Sequence, residues 1–305
     1  MIAMLSRRRF IPLLTFIAAL AATPAQAQDK VNVVATFSIL GDLVKNVGGD
    51  RVDVTMLVGP NSDTHVFSPT PADARKLGSA KVVFVNGLGL EGWIARLVKA
   101  SGTKAPTVVA SVGVKSRKMD DGHHHGHSHA EADPHAWQSV ANTRIYVANI
   151  RDGLSKSDPA GKDTYVANAS AYLAKLDMLE QEVKAAVAKI PADRRKVITT
   201  HEAFGYFAVA YGMEFIAPEG VSTEAAPSAR DVAKIIAQIK KQKIPALFME
   251  NVSDPRMMQQ IAKESGARIG GTLYSDALSD ASGPAPSYVE MMRSNVSELT
   301  KALAP

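Results

Sequence analysis

The 305 residues predict an α/β protein: two (βα)4 lobes, each built on a parallel sheet, joined by one long rigid helix. Two observations carry this prediction. Short β-branched runs alternate with longer amphipathic stretches through most of the chain. Near the middle, one uninterrupted helical pattern separates four predicted strands from another four.

Residues 31–38, 52–58, 81–86 and 107–110 read as the strands of the first lobe, and 195–200, 214–217, 246–250 and 268–274 as those of the second. Between them, 39–47, 92–100, 229–241 and 256–265 place apolar residues at helical spacing. Parallel neighbours need a crossover of helix length, so this alternation points to parallel sheets covered by helices. The joining helix is expected over 158–190, with Asp158 as N-cap, Pro159 as first helical residue and Pro191 as the stop. Val166, Ala169, Leu173, Leu176, Leu179, Val183 and Val187 recur every three or four residues along one face. About 30 residues make a rod of roughly 45 Å, a stiff connection unlike a flexible linker. Two shorter helices with a break are the alternative.

Residues 1–27 read as a cleaved leader. Arg7, Arg8 and Arg9 precede an apolar stretch over 10–22, and Ala25-Gln26-Ala27 makes a small-x-small cleavage site. That stretch is too short for a stable membrane anchor. Ser6-Arg7-Arg8-Arg9-Phe10 fits a twin-arginine signal as well as an ordinary secretory one. The chain has no cysteine to carry a lipid and no second long apolar segment, so a soluble periplasmic protein is expected, not a lipoprotein. The predicted organisation is a first lobe over 28–157, the helix over 158–190 and a second lobe over 191–305. Three leader arginines account for part of the net charge of +5, leaving +2 for the rest. With no basic patch interleaved with aromatics, nucleic-acid binding is not expected.

Eight histidines are present. His123, His124, His125, His127 and His129 fall within 120–133, a stretch of Gly, Ser, Asp and Glu too polar to form core; it reads as a surface loop with an accessory metal role. The other three are spaced differently. His65 follows the 52–58 strand through a turn, and His201 stands immediately past the 195–200 strand. His135 lies on a turn just before a helix, and Asp276 sits two residues beyond the 268–274 strand. Open α/β sheets bind ligands outside the carboxyl ends of their strands, where His65, His201 and Asp276 fall. Two candidates come from each half, as a site closed between lobes requires. Three imidazoles and a carboxylate suit Zn²⁺; Mn²⁺ accepts the set but prefers more oxygen. Four protein ligands leave no position that must stay open for water, which favours holding a metal over catalysis.

Enzyme motifs fail. After His201-Glu202 a zinc-protease helix needs histidine at 205, where Gly205 stands. His127-Ser128-His129 lacks the following aspartate and histidine of metallo-hydrolases, since Glu131 and Ala132 occupy those places. Gly87-Leu88-Gly89 and Gly270-Gly271 read as turns at strand ends, and Lys240-Lys241-Gln242-Lys243 as a solvated helix end. Trp137 is a candidate shield for the metal or a packing residue, and Glu202 is either an orienting partner of an imidazole or a surface residue.

Several motifs in order carry a resemblance: Asp63-Thr64-His65 with Ser68-Pro69, Asn86-Gly87-Leu88-Gly89-Leu90-Glu91, Asp133-Pro134-His135-Ala136-Trp137, the run Thr200-His201-Glu202-Ala203-Phe204-Gly205-Tyr206-Phe207, Phe248-Met249-Glu250-Asn251 and Tyr274-Ser275-Asp276. The chain resembles the metal-binding solute-binding proteins of ABC importers, the cluster A-I type that includes zinc carriers and related manganese carriers. The resemblance implies that His65, His135, His201 and Asp276 are the metal ligands, at a site between the lobes. It implies a non-enzymatic monomer serving a permease and its ATPase, with a periplasmic metallochaperone as a further conceivable partner. Manganese-type members tend to place a glutamate where His201 stands, so the resemblance implies Zn²⁺ as cargo, with Mn²⁺ the alternative.

Overall fold

A computed structural model describes residues 29–117 and 132–305; the leader and the histidines at 123–129 lie outside the described residues. In the first lobe β1 (Val31–Phe37), β2 (Val52–Val58), β3 (Val82–Val85) and β4 (Thr107–Val109) form a parallel sheet in the order β2-β1-β3-β4. Its helices are α1 (Ser38–Gly48), α2 (Pro71–Gly78), α3 (Ile94–Ser101) and α4 (Val140–Ser157). β3 is buried at every residue, as expected of an inner parallel strand made wholly of Val and Phe.

After a 3-10 turn at Pro159–Gly161 comes α5 (Lys162–Ala188), 27 residues of unbroken α-helix. It packs against α1 and α4 of the first lobe and against the last helix of the second. The buried stripe is Tyr165, Ala169, Tyr172, Leu176, Leu179, Val183 and Val187. This corrects the predicted face at its start, because Val166 is 45 % exposed and Tyr165 takes the core position. Tyr165 turns its hydroxyl outward to Asp158, 2.6 Å away, so the ring is buried while its polar end is satisfied.

The second lobe repeats the first. β5 (Lys196–Ile198), β6 (Glu214–Ile216), β7 (Ala246–Glu250) and β8 (Arg268–Leu273) are parallel in the order β6-β5-β7-β8, with α6 (Gly205–Tyr211), α7 (Ala229–Gln242), α8 (Pro255–Ser265) and α9 (Tyr288–Leu303) around them. In each sheet the chain reverses direction between its first and third strands, which opens a crevice outside their carboxyl ends. Gly270 and Gly271 lie inside β8 and not in a turn: the pairing slips there, and a Cβ on Gly270 would sit 2.5 Å from the Phe248 ring. Among the described residues no helix is long and apolar enough to cross a membrane.

Candidate metal centre

Four loops at the carboxyl ends of the strands bring His65, His135, His201 and Asp276 together, with candidate donor atoms all within 4.8 Å of one another. His65 is 8 % exposed, and the other three are fully buried. The Nε2 atoms of His65 and His135 are 3.2 Å apart. Asp276 Oδ2 lies 3.4 Å from His65 Nε2 and 3.1 Å from His201 Nε2, and Oδ1 lies 3.4 Å from His135 Nε2.

Each histidine has a carboxylate beside its backbone N–H, and two of the three rings are also aimed by it. Beyond β2 the turn passes Asn61 in a left-handed conformation, and Asp63 Oδ1 accepts from the His65 backbone N–H at 2.8 Å. Asp133 Oδ1 does the same for His135 at 3.0 Å and also meets its ring Nδ1 at 2.9 Å. Arg117 approaches that carboxylate at 3.9 Å. Gly205 leaves room for both groups, since a Cβ there would be 2.7 Å from Asp133 Oδ2. At His201 the partner is Glu250, from the end of β7. Its Oε1 accepts from the backbone N–H groups of Thr200 and His201 at 2.8 and 3.0 Å, and its Oε2 is 2.5 Å from the ring Nδ1. A carboxylate at Nδ1 fixes the ring and leaves Nε2 facing the cluster. Glu202, the orienting candidate nearest in sequence, is exposed.

The Asp276 segment is gripped from both lobes. Asn295 of α9 accepts from Tyr274 N and donates to Tyr274 O, both at 2.8 Å. Trp137 Nε1 and Gln138 Nε2 donate to Ser275 O at 2.9 and 2.8 Å. Trp137 is fully buried and meets the His135 ring at 5.3 Å between centroids, so it braces both neighbours of the cluster. Trp93 and Phe204 are core residues.

Burial opposes charge on His135, but the Asp276 and Asp133 carboxylates more than offset it and push the imidazole up to about 9. For His201, burial is likewise overcome by Glu250 and Asp276, and its imidazole stands well above the ordinary range. Burial also works against the Asp276 charge, yet His201 and His135 hold that carboxyl well below the ordinary range. His201 Nε2 and both Asp276 oxygens are buried without an aligned hydrogen-bond partner among the described residues. Buried polar atoms that face one another without aligned hydrogen bonds cost free energy, and a cation among them would satisfy all at once. Three imidazole nitrogens and a carboxylate match the chemistry of a divalent transition metal.

Residues 33–302 match the family described as zinc-uptake complex component A, periplasmic. The chain belongs to this family. It is 34 % identical over 278 residues to an iron-binding protein of Yersinia pestis, covering 91 % of this chain and 88 % of the relative. It is 32 % identical over 283 residues to a manganese ABC transporter substrate-binding lipoprotein of Streptococcus pneumoniae, covering 91 % and 90 %. The solved structure of a periplasmic zinc-binding protein from Treponema pallidum superimposes with a TM-score of 0.82 at 31 % identity, covering 90 % of this chain and all of that one. The chain is therefore a metal-binding, extracytoplasmic substrate-binding protein of an ABC importer, and not an enzyme; a permease and an ATPase are its partners. The pneumococcal relative is named a lipoprotein, whereas these 305 residues contain no cysteine.

Proposed function

We propose that the chain is a free periplasmic carrier that holds one zinc ion through His65, His135, His201 and Asp276 and delivers it to its permease. One observation carries this reading: a buried cluster of four donor residues whose candidate ligand atoms all lie within 4.8 Å of one another, with four of the contacts at 3.1 to 3.4 Å. Zinc bonds of about 2.0–2.1 Å in a tetrahedron place neighbouring ligand atoms roughly 3.3–3.4 Å apart. The His–His and His–Asp contacts at 3.1 to 3.4 Å match such a spacing, so one ion fits among these side chains. Histidines 123–129 would gather the ion weakly at the surface and raise its local supply. The absence of cysteine supports a carrier without a lipid anchor.

Manganese or ferrous iron is the second reading, favoured by one detail of the site. Both oxygens of Asp276 face imidazoles, Oδ1 toward His135 and Oδ2 toward His65 and His201. A bidentate carboxylate would raise the coordination number and the oxygen share, which suits Mn²⁺ better than Zn²⁺. Two of the three relatives described above are named for iron and manganese and lean the same way, while the third is named for zinc. Competition titration of Zn²⁺ against Mn²⁺ and Fe²⁺, on the chain lacking residues 120–131, decides between them. One tight zinc site, lost in His201→Ala and held against excess manganese, is the expected result. Comparable affinity for manganese would overturn the zinc assignment and leave the carrier standing.

A further inference from the structure

A cleft of about 810 Å³ runs between the lobes, and of the four cluster residues only His65 lines it. Among the described residues its charged walls are all acidic, formed by Glu219, Glu224 and Asp231 with no lysine or arginine. Asp231 is engaged at the start of α7, where it pairs with Ser228 and Lys234. Glu224 is exposed. Glu219 differs from both: it is half-buried, and no described residue gives its carboxylate a hydrogen bond or an ion-pair partner. Its backbone is nevertheless fixed. Glu219 N donates to Thr200 O at 3.3 Å and Glu202 N donates to Gly220 O at 3.0 Å, so the segment is clamped on both sides of His201.

Resting on the carrier reading above, we infer that Glu219 is the first inner carboxylate met by the incoming divalent cation, which it passes to His65 and so into the cluster. A half-buried carboxylate without a hydrogen-bond or ion-pair partner is poorly solvated, and a divalent cation in the cleft adds counter-charge to that of His201. The low-dielectric walls focus that charge along the cleft. Because Glu219 stands on the path, it lowers the barrier for arrival and departure alike. Its removal therefore slows both rates more than it changes the equilibrium affinity.

The test is rapid mixing of the full chain with Zn²⁺ alone, followed by the fluorescence of Trp137 beside His135. Glu219→Gln is expected to lower the association rate by about three- to tenfold. Glu219→Asp restores most of it, and Glu264→Gln, which removes the same charge from an exposed face of α8, leaves it unchanged. Matching thermal melts show that the variants fold. An unaltered rate in Glu219→Gln, or an equal loss in Glu264→Gln, overturns the inference while the carrier stands. A parent chain with no tight, His201-dependent zinc binding overturns the carrier reading and this inference with it.

Discussion

Glu250 and Asp133 hold their histidines in the same way, with one carboxylate taking both the backbone N–H and the ring Nδ1 of the residue it orients. Glu250→Gln and Asp133→Asn should therefore weaken metal binding by about 10–100-fold with the fold intact, as second-layer losses at metal sites do. Equilibrium dialysis on the two variants checks this, and unchanged affinity would mean that the rings are held by packing alone. The same carboxylates load the metal-free site with protons. With His135 pushed up to about 9 and His201 also raised, both rings are protonated at pH 7 and must give up protons to bind a cation. Uptake at pH 7 should release about two protons per ion, and apparent affinity should climb as pH rises toward 9. Calorimetry in buffers of different ionisation enthalpy counts them. His65, His135, His201 and Asp276 are all legible in the sequence as candidates, because each follows a predicted strand or turn. Glu250 is not. It reads as the end of a buried strand, and only the pairing of β5 with β7 sets it beside a histidine 49 residues away.

At the scale of elements, the inner strands announce themselves through β-branched runs, and the predicted strands match the observed ones to within a residue or two. Two helices are harder to see: α2 buries only Asp73 and Leu77, and α6 spans seven residues, too little for a period of 3.6 to register. In α9 the buried face includes Asn295, whose polar side chain interrupts the apolar pattern because it serves the Tyr274 backbone. The contact of α1 with α9 carries a pH signature. Asp42 accepts from the N–H of Tyr288 at 2.9 Å, and burial raises its carboxyl to about 6. Its unfolded value lies near 3.8, so the unfolded chain ionises first as pH rises. Stability from this group is full below about pH 4 and lost as pH climbs through 6. Asp42→Asn, with no charge to bury, should gain on the parent by up to about 3 kcal/mol between pH 4 and 7. Denaturant melts at both values test it, and a difference independent of pH would contradict it.

At the scale of the molecule, the two lobes are tied by more than one helix. Asn61 N donates to Leu278 O at 2.9 Å, Leu278 N to Ser38 Oγ at 3.0 Å, and Thr223 Oγ1 to Asp63 Oδ2 at 2.6 Å. Tyr288 Oη donates to Trp137 O at 2.8 Å. Wide hinge opening would break these bonds together and tear α5 from α1, α4 and α9, so release should proceed through small shifts of lobes or loops. Solution scattering with and without zinc should give nearly superimposable profiles, whereas a large compaction on binding would refute this. Two lobes and a stiff connection are visible in the sequence pattern, but their mutual grip is not, because it is made by single polar side chains in loops. The carrier's chemistry depends on where the ion sits, and anomalous diffraction at the zinc edge locates it directly. A crystal of the chain carrying one equivalent of zinc should show a single strong peak about 2.0–2.2 Å from the Nε2 atoms of His65, His135 and His201 and from an Asp276 oxygen. A peak elsewhere, with these four residues still facing one another around an empty centre, would contradict it.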